Sequence, residues 1–192
     1  MITWWWVRHG PTHEKAFVGW RDVAADLSDT ALIARVADFL PSDAAVVSSD
    51  LIRASATADA IQRERHRLDH APDLREFNLG DWDGKTFNEV AKTHPDLSRA
   101  YWETPGEIAP PNGESWNSAT SRITAYVDAE SAKTTHRHVI AVAHIGVILT
   151  QLQRALGVTP YQVLGQHIDN FSVTSLTFDG ADWSADLINH LP

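Results

Sequence analysis

Between positions 3 and 12 the chain reads Thr-Trp-Trp-Trp-Val-Arg-His-Gly-Pro-Thr, an apolar run that stops at an Arg-His-Gly triplet. Three tryptophans and a valine carry aromatic and β-branched character, and a Gly-Pro break follows, which predicts a central strand covered on both faces rather than a helix start. Gly10 permits a sharp turn, and Pro11 biases the residue before it towards extended backbone. In open α/β sheets ligands bind outside the carboxyl ends of the strands, so Arg8 and His9 arrive where a site would form. On the triplet alone, a capped strand end with a hydrogen-bonded histidine fits as well as a catalytic one.

The rest of the chain repeats the layout. Ser28 or Asp29 can cap a helix whose Ile33, Val36, Ala37 and Leu40 recur at helical spacing before Pro41 stops it. Ala44 to Val47 form a second short apolar strand ending at Ser48-Ser49-Asp50, and a helix is expected from about Leu51 to Arg65. Arg53 in its first turn opposes the helix dipole, a conflict that a bound anion would relieve; a solvated surface arginine is the alternative. Leu74 to Gly84, rich in glycine and acids, reads as a loop or short strand, and its Asp81-x-Asp83-Gly84 lacks the later ligands of a calcium loop. A mixed helical stretch from Thr86 to Trp102, broken at Pro95, leads into a Pro- and Gly-rich loop suited to binding. A helix then places Trp116, Ala119, Ile123 and Val127 on one face. Val139 to Ala143 form the clearest buried strand, ending at His144-Ile145-Gly146 just before a helix that closes at Gly157. Residues 172–178 and 183–188 read as a hairpin across Asp179-Gly180, an antiparallel edge. His66 and His70 could share a helix face at metal-pair spacing, but no third ligand converges on them in sequence, so no metal is expected.

Composition narrows the function classes. Zero cysteines excludes disulfides, thiolate nucleophiles and cysteine-ligated metals together. A formal net charge of −9 argues against a nucleic-acid partner, so any anion site must be a local focus of positive charge. No apolar stretch approaches twenty residues and the N-terminus carries no signal-peptide pattern, so no membrane partner is expected and a cytoplasmic location is. A chain of 192 residues with 43% hydrophobic and 21% charged residues suits one α/β domain, expected over 1–192.

Strand ends and helix starts thus offer Arg8 and His9, Arg53, Glu76 and His144, a set suited to phosphoryl transfer through a histidine. With these residues the sequence resembles the histidine phosphatase superfamily, which includes phosphoglycerate mutases and alpha-ribazole phosphatases. The resemblance is carried in order by Val7-Arg8-His9-Gly10, Gly19-Trp20-x-Asp22, Ser48-Ser49-Asp50-Leu51-x-Arg53-Ala54, Leu74-x-Glu76 with Gly80-x-Trp82-x-Gly84, Asn112-Gly113-Glu114-Ser115, and Val142-Ala143-His144-x-Gly146. It implies a three-layer α/β/α sandwich with a mostly parallel sheet and an antiparallel edge strand. It further implies His9 as the nucleophile that becomes phosphohistidine, Arg8, Arg53 and His144 as ligands of the phosphoryl oxygens, and Glu76 as proton donor. Guanidinium forks suit a phosphoryl group, whose charge is spread over its oxygens, and positive neighbours would keep His9 neutral.

The sequence departs from the family pattern at Glu14-Lys15, where many members carry an asparagine, leaving Lys15 or His13 to replace that contact. Pro11 stands where an acidic residue is common, and Ile145 adds bulk where many members have glycine. Thr12, Lys15, Trp20 and Ile145 are therefore the expected substrate-binding residues. The expected activity is a cofactor-independent phosphomonoesterase acting on a small phosphorylated molecule. The alternatives are mutase-type phosphotransfer, against which the segment 86–113 offers Arg99 as its only arginine, and a non-catalytic module of the same fold. A homodimer is compatible with the family.

Overall fold

The computed structural model describes residues 1–192. A six-stranded sheet runs β3-β2-β4-β1-β5-β6, built from β1 (Ile2–Arg8), β2 (Ala45–Ser48), β3 (His66–Arg67), β4 (His138–Ala143), β5 (Val173–Phe178) and β6 (Trp183–His190). The first four are mutually parallel; β5 pairs antiparallel with β1, and β6 antiparallel with β5. The antiparallel edge is therefore a hairpin of two strands, as the Asp179-Gly180 turn predicts.

Helices cover both faces. The side chains of Val7, Val46, Ile140, Val142 and Val173 pack with α1 (Thr30–Phe39) and α2 (Ile52–Ile61). Trp4, Trp6, Val139, Ala141 and Leu176 turn to the other face, against α5 (Trp116–Lys133) and α6 (Ile145–Leu156). The period-2 alternation of a strand thus splits the tryptophan run between two cores. Trp4 and Trp6 are fully buried and stack at 5.3 Å, while Trp5 meets Phe39 edge-on from the α1 side. The α/β/α sandwich with its mostly parallel sheet stands as expected. Two short helices, α3 (Phe87–Thr93) and α4 (Pro95–Glu103), fill the stretch broken at Pro95, and α7 (Pro160–Val163), unforeseen in sequence, follows α6.

One helix is shorter than its pattern. Instead of reaching Arg65, α2 ends at Ile61, and Arg63 takes a left-handed φ of 54°. Arg65 then folds back and its guanidinium donates to the carbonyls of Ala37, Leu40, Pro41 and Ile61, closing the carboxyl ends of α1 and α2 at once. His66 and His70 consequently share no helix face. His66 stacks on His136 from β3, and His70 meets Ser48. No three side chains of metal-ligating type converge anywhere in the structure, and no helix is long and apolar enough to cross a membrane.

The site follows from strand order. From β1 the chain leaves through α1 towards β2, and from β4 it leaves over the opposite face through α6 towards β5. The crevice where the connections diverge lies outside the carboxyl ends of β1 and β4. Register pairs Arg8 with Ala143, so the next residues, His9 and His144, emerge side by side.

Candidate active site

The two histidine rings lie 5.1 Å apart, centroid to centroid, and both are buried. His9 Nδ1 sits 2.7 Å from the carbonyl of Gly10, which can only accept, so Nδ1 carries the proton and Nε2 keeps a free lone pair. His144 has the opposite tautomer. Arg53 Nε donates to its Nδ1 at 3.2 Å, leaving the proton on Nε2, which is buried with no protein partner. A buried donor without an acceptor is costly unless something supplies one, and an anion in the crevice would.

Arg53 is itself 1% exposed. Its NH1 and NH2 donate to the carbonyls of Arg21 and Gly19, so a guanidinium in the first turn of α2 leaves the helix axis and ties down the loop 19–21. The solvated alternative is overturned. The anion at the start of α2 comes from the protein itself, because Asp22 Oδ1 accepts from the Ile52 N–H at 2.7 Å. Arg8 is anchored through NH1 on the Ile168 carbonyl at 2.6 Å, and its Nε is buried without a partner.

Burial pushes the His9 pKa down to about 3, against the Gly10 hydrogen bond that raises it; Arg53 and Arg8 add smaller lowering effects. The histidine is therefore neutral chiefly because it is desolvated, whereas the sequence argument assigned that to the arginines. Burial, then His9 and the arginines, likewise holds His144 well below the ordinary histidine value.

Glu76 faces this cluster from the loop after a short 3-10 turn at Pro72–Leu74. Its carboxylate accepts from the Phe77 N–H at 3.0 Å and from the Gly146 N–H, in the first turn of α6, at 3.2 Å. Burial raises its pKa despite those donors and the two arginines, favouring the protonated form. A Cβ at position 146 would collide with the Glu76 carboxyl and the Phe77 ring, so close approach requires glycine there. The same holds at Gly10: its φ is not left-handed, but a Cβ would strike the Phe171 ring and crowd the Asp26 carbonyl. Gly10 is a contact glycine rather than the turn glycine that the sequence suggests.

Arg8, His9, Arg53 and Glu76 line one cavity of about 410 Å³. Thr12 and Ile145, both expected in substrate binding, line it too. Lys15 and Trp20 do not. Lys15 is exposed to solvent, and Trp20 lies behind the site, donating from Nε1 to the Glu76 carbonyl at 2.7 Å with the Arg75 guanidinium 5.1 Å from its ring. His13, the other candidate for the missing contact, bonds Asp26 at the surface.

Several residues that support the site escaped sequence reasoning. Asp83, discounted with its loop motif, accepts from the Gly19 and Arg21 N–H groups and so folds the loop that Arg53 holds. Arg122 grips Glu114 with Nε and NH2 and donates through NH1 to the carbonyls of Asp73 and Arg75, bracing the segment that presents Glu76. Asn170 donates to the His9 carbonyl at 2.7 Å, from the stretch between α7 and β5. Only the Asp169-Asn170 pair, as turn chemistry before an apolar strand, could have drawn attention to it.

A buried imidazole with a free Nε2, two fixed guanidinium groups and a buried carboxyl group are the chemistry that phosphoryl transfer through a histidine would need. The profile of the histidine phosphatase superfamily, branch 1, matches residues 4–191, and the chain belongs to that family. Among its relatives, the phosphoglycerate mutase-like protein 4 of Arabidopsis thaliana is 31% identical over 96% of this chain and 85% of its own length. A glucosyl-3-phosphoglycerate phosphatase of Mycolicibacterium vanbaalenii is 37% identical over 62% of this chain and 57% of its own. The solved structure of a mycobacterial glucosyl-3-phosphoglycerate phosphatase complexed with VO3 superposes with a TM-score of 0.85 at 26% identity, covering 98% of this chain and 99% of that one. The chain spans less than half, 46%, of the length of several other mycobacterial relatives.

Proposed function

We propose that residues 1–192 form one histidine phosphatase domain that hydrolyses a small phosphomonoester through a phosphohistidine on His9. The observation that carries this reading is the Nδ1–H of His9 on the Gly10 carbonyl at 2.7 Å, which fixes the tautomer a nucleophilic Nε2 needs. Nε2 attacks phosphorus while the bond to the ester oxygen breaks, and Glu76 gives its proton to the departing alkoxide. Arg8, Arg53 and the Nε2–H of His144 neutralise the transferring oxygens. Water then attacks the phosphohistidine, Glu76 takes a proton from it, and the P–N bond breaks to release inorganic phosphate and restore neutral His9. The chemistry suits an acid-type phosphatase, because Glu76 has to be protonated when the ester binds.

The mutase alternative is not favoured. Arg99, the only arginine of the segment 86–113, is exposed and paired with Asp96. A non-catalytic role fits poorly with a site that keeps nucleophile, acid and both arginines. Rapid acid-base quench with a phosphate-labelled substrate tests the assignment: a base-stable, acid-labile label on His9 is expected, and a label mapping to any other residue would refute it.

A further inference from the structure

Once Arg8, Arg53 and the histidines are committed to the phosphoryl group, the remaining wall of the cavity is largely apolar and aromatic, with Thr12 and Glu14 among its polar members. Phe17 from the loop after β1 meets Trp102 at the end of α4, with rings 6.0 Å apart, and Trp102 in turn packs edge-on against Tyr101 at 4.8 Å. Leu149 and Leu164 extend the same wall.

The charges of the lining are as telling. Arg8 and Arg53 are its only cations, and the carboxylate beyond Glu76 is Glu14, itself bound to Arg21 at 2.9 Å. Cations just outside are committed elsewhere: Arg122 to Glu114, Arg75 to Asp50. A second anionic group on the substrate would therefore leave water for mostly apolar walls and a glutamate, with no cationic partner. A flat apolar group would gain aromatic contacts there, and the buried, unpartnered indole N–H of Trp102 leaves room for a single acceptor on it.

We propose that the site selects phosphomonoesters of uncharged, largely apolar alcohols of aromatic size, and that Trp102 is a specificity-determining residue for them. The proposal rests on the phosphomonoesterase reading of the site. It sets this chain apart from relatives named for phosphoglycerate-type substrates, since a substrate carboxylate would meet no lining cation beyond the two arginines that hold the phosphoryl group.

The test compares kcat/KM for 2-phenylethyl phosphate, glycerol 3-phosphate and 3-phosphoglycerate, all of which release alkoxides, so leaving-group ability does not dominate the ranking. The arylalkyl ester should exceed 3-phosphoglycerate by at least about 100-fold, given that a single methylene in a hydrophobic pocket is worth roughly 10–200-fold. Trp102→Ala should shrink its advantage over glycerol 3-phosphate by about tenfold, and Trp102→Phe should retain most of it. Equal or better turnover of 3-phosphoglycerate by the unmodified protein would overturn the proposal, whether or not the alanine variant folds. An unchanged selectivity ratio in a folded Trp102→Ala protein would remove Trp102 from the assignment and overturn that part. Failure to hydrolyse any of the three esters, and p-nitrophenyl phosphate with them, would overturn the phosphomonoesterase reading itself, and the substrate class with it.

Discussion

Arg53 donates from Nε to Nδ1 of His144 at 3.2 Å, so one side chain of the site sets the tautomer of the other. The same guanidinium reaches the Gly19 and Arg21 carbonyls through its remaining nitrogens. Both functions depend on a planar fork with separate donors, which an ammonium group cannot reproduce.

Arg53→Lys should therefore keep the charge and lose the geometry. We expect kcat/KM on p-nitrophenyl phosphate to fall by about 10²–10³, the cost of removing one aligned donor to a developing charge. A lysine variant within threefold of the unmodified protein would show that charge alone suffices at this position.

Glu76→Gln removes the transferable proton while keeping shape. Turnover of alkyl phosphates should drop by about 10²–10⁴, and that of p-nitrophenyl phosphate, whose leaving group departs unaided, by much less. The pH dependence should change with it. Glu76 titrates above its ordinary value, so alkyl-phosphate turnover should decline as pH rises through that raised pKa, and this limb should be missing from the Gln variant. Because His9 is neutral down to about pH 3, no loss of activity from its protonation is expected between pH 7 and pH 4. The ester's own titration is common to both proteins, so their difference isolates the enzyme group. Matching rate losses on both substrate types would remove Glu76 as the acid.

Gly146→Ala places a methyl group where the Glu76 carboxyl and Phe77 ring now meet. It should reproduce the leaving-group pattern of Glu76→Gln, with alkyl phosphates losing about 10²-fold or more, since displacing an acid is nearly as damaging as deleting it. Unaltered rates on both substrate types would mean that the carboxyl group tolerates another position.

Arg122→Gln strips Glu114 of its cationic partner, leaving it the Asn78 N–H, in a pair whose two side chains are 16% and 18% exposed. Partial exposure places the expected loss at about 1–3 kcal/mol of folding stability, below that of a fully buried pair. Chemical denaturation read by tryptophan fluorescence measures it. A midpoint unchanged from that of the unmodified protein would show that the backbone alone holds the Glu76 segment.

The strands that end in chemistry were legible in the sequence because their signals are local. A run such as Val139 to Ala143 states its own burial, and His144 follows it directly. Asp29, the N-cap of α1, could be narrowed only to itself or Ser28, and the structure decides because Asp29 Oδ1 accepts from the Leu32 N–H. What stayed hidden depends on pairs far apart in the chain. Arg65 reads as one more polar residue of a helix until the carbonyls of Ala37 and Leu40 are brought to it. Trp20 reads as a ligand residue until its indole is seen bonding the Glu76 backbone. Arg122 carries no local sign of its partners, since Asp73 and Arg75 precede it by some fifty positions.

The backbone at His9 is held from three directions: the His9 N–H donates to Ala143 in β4, its carbonyl accepts from Asn170, and the next N–H donates to Thr57 in α2. Opening one segment locally leaves the other two attachments in place. Amide deuterium exchange at His9 should consequently occur only through global unfolding, at the slow limit set by the central strands. In rising denaturant, turnover and native fluorescence should then vanish together, leaving no concentration at which the protein is folded but His9 has come loose.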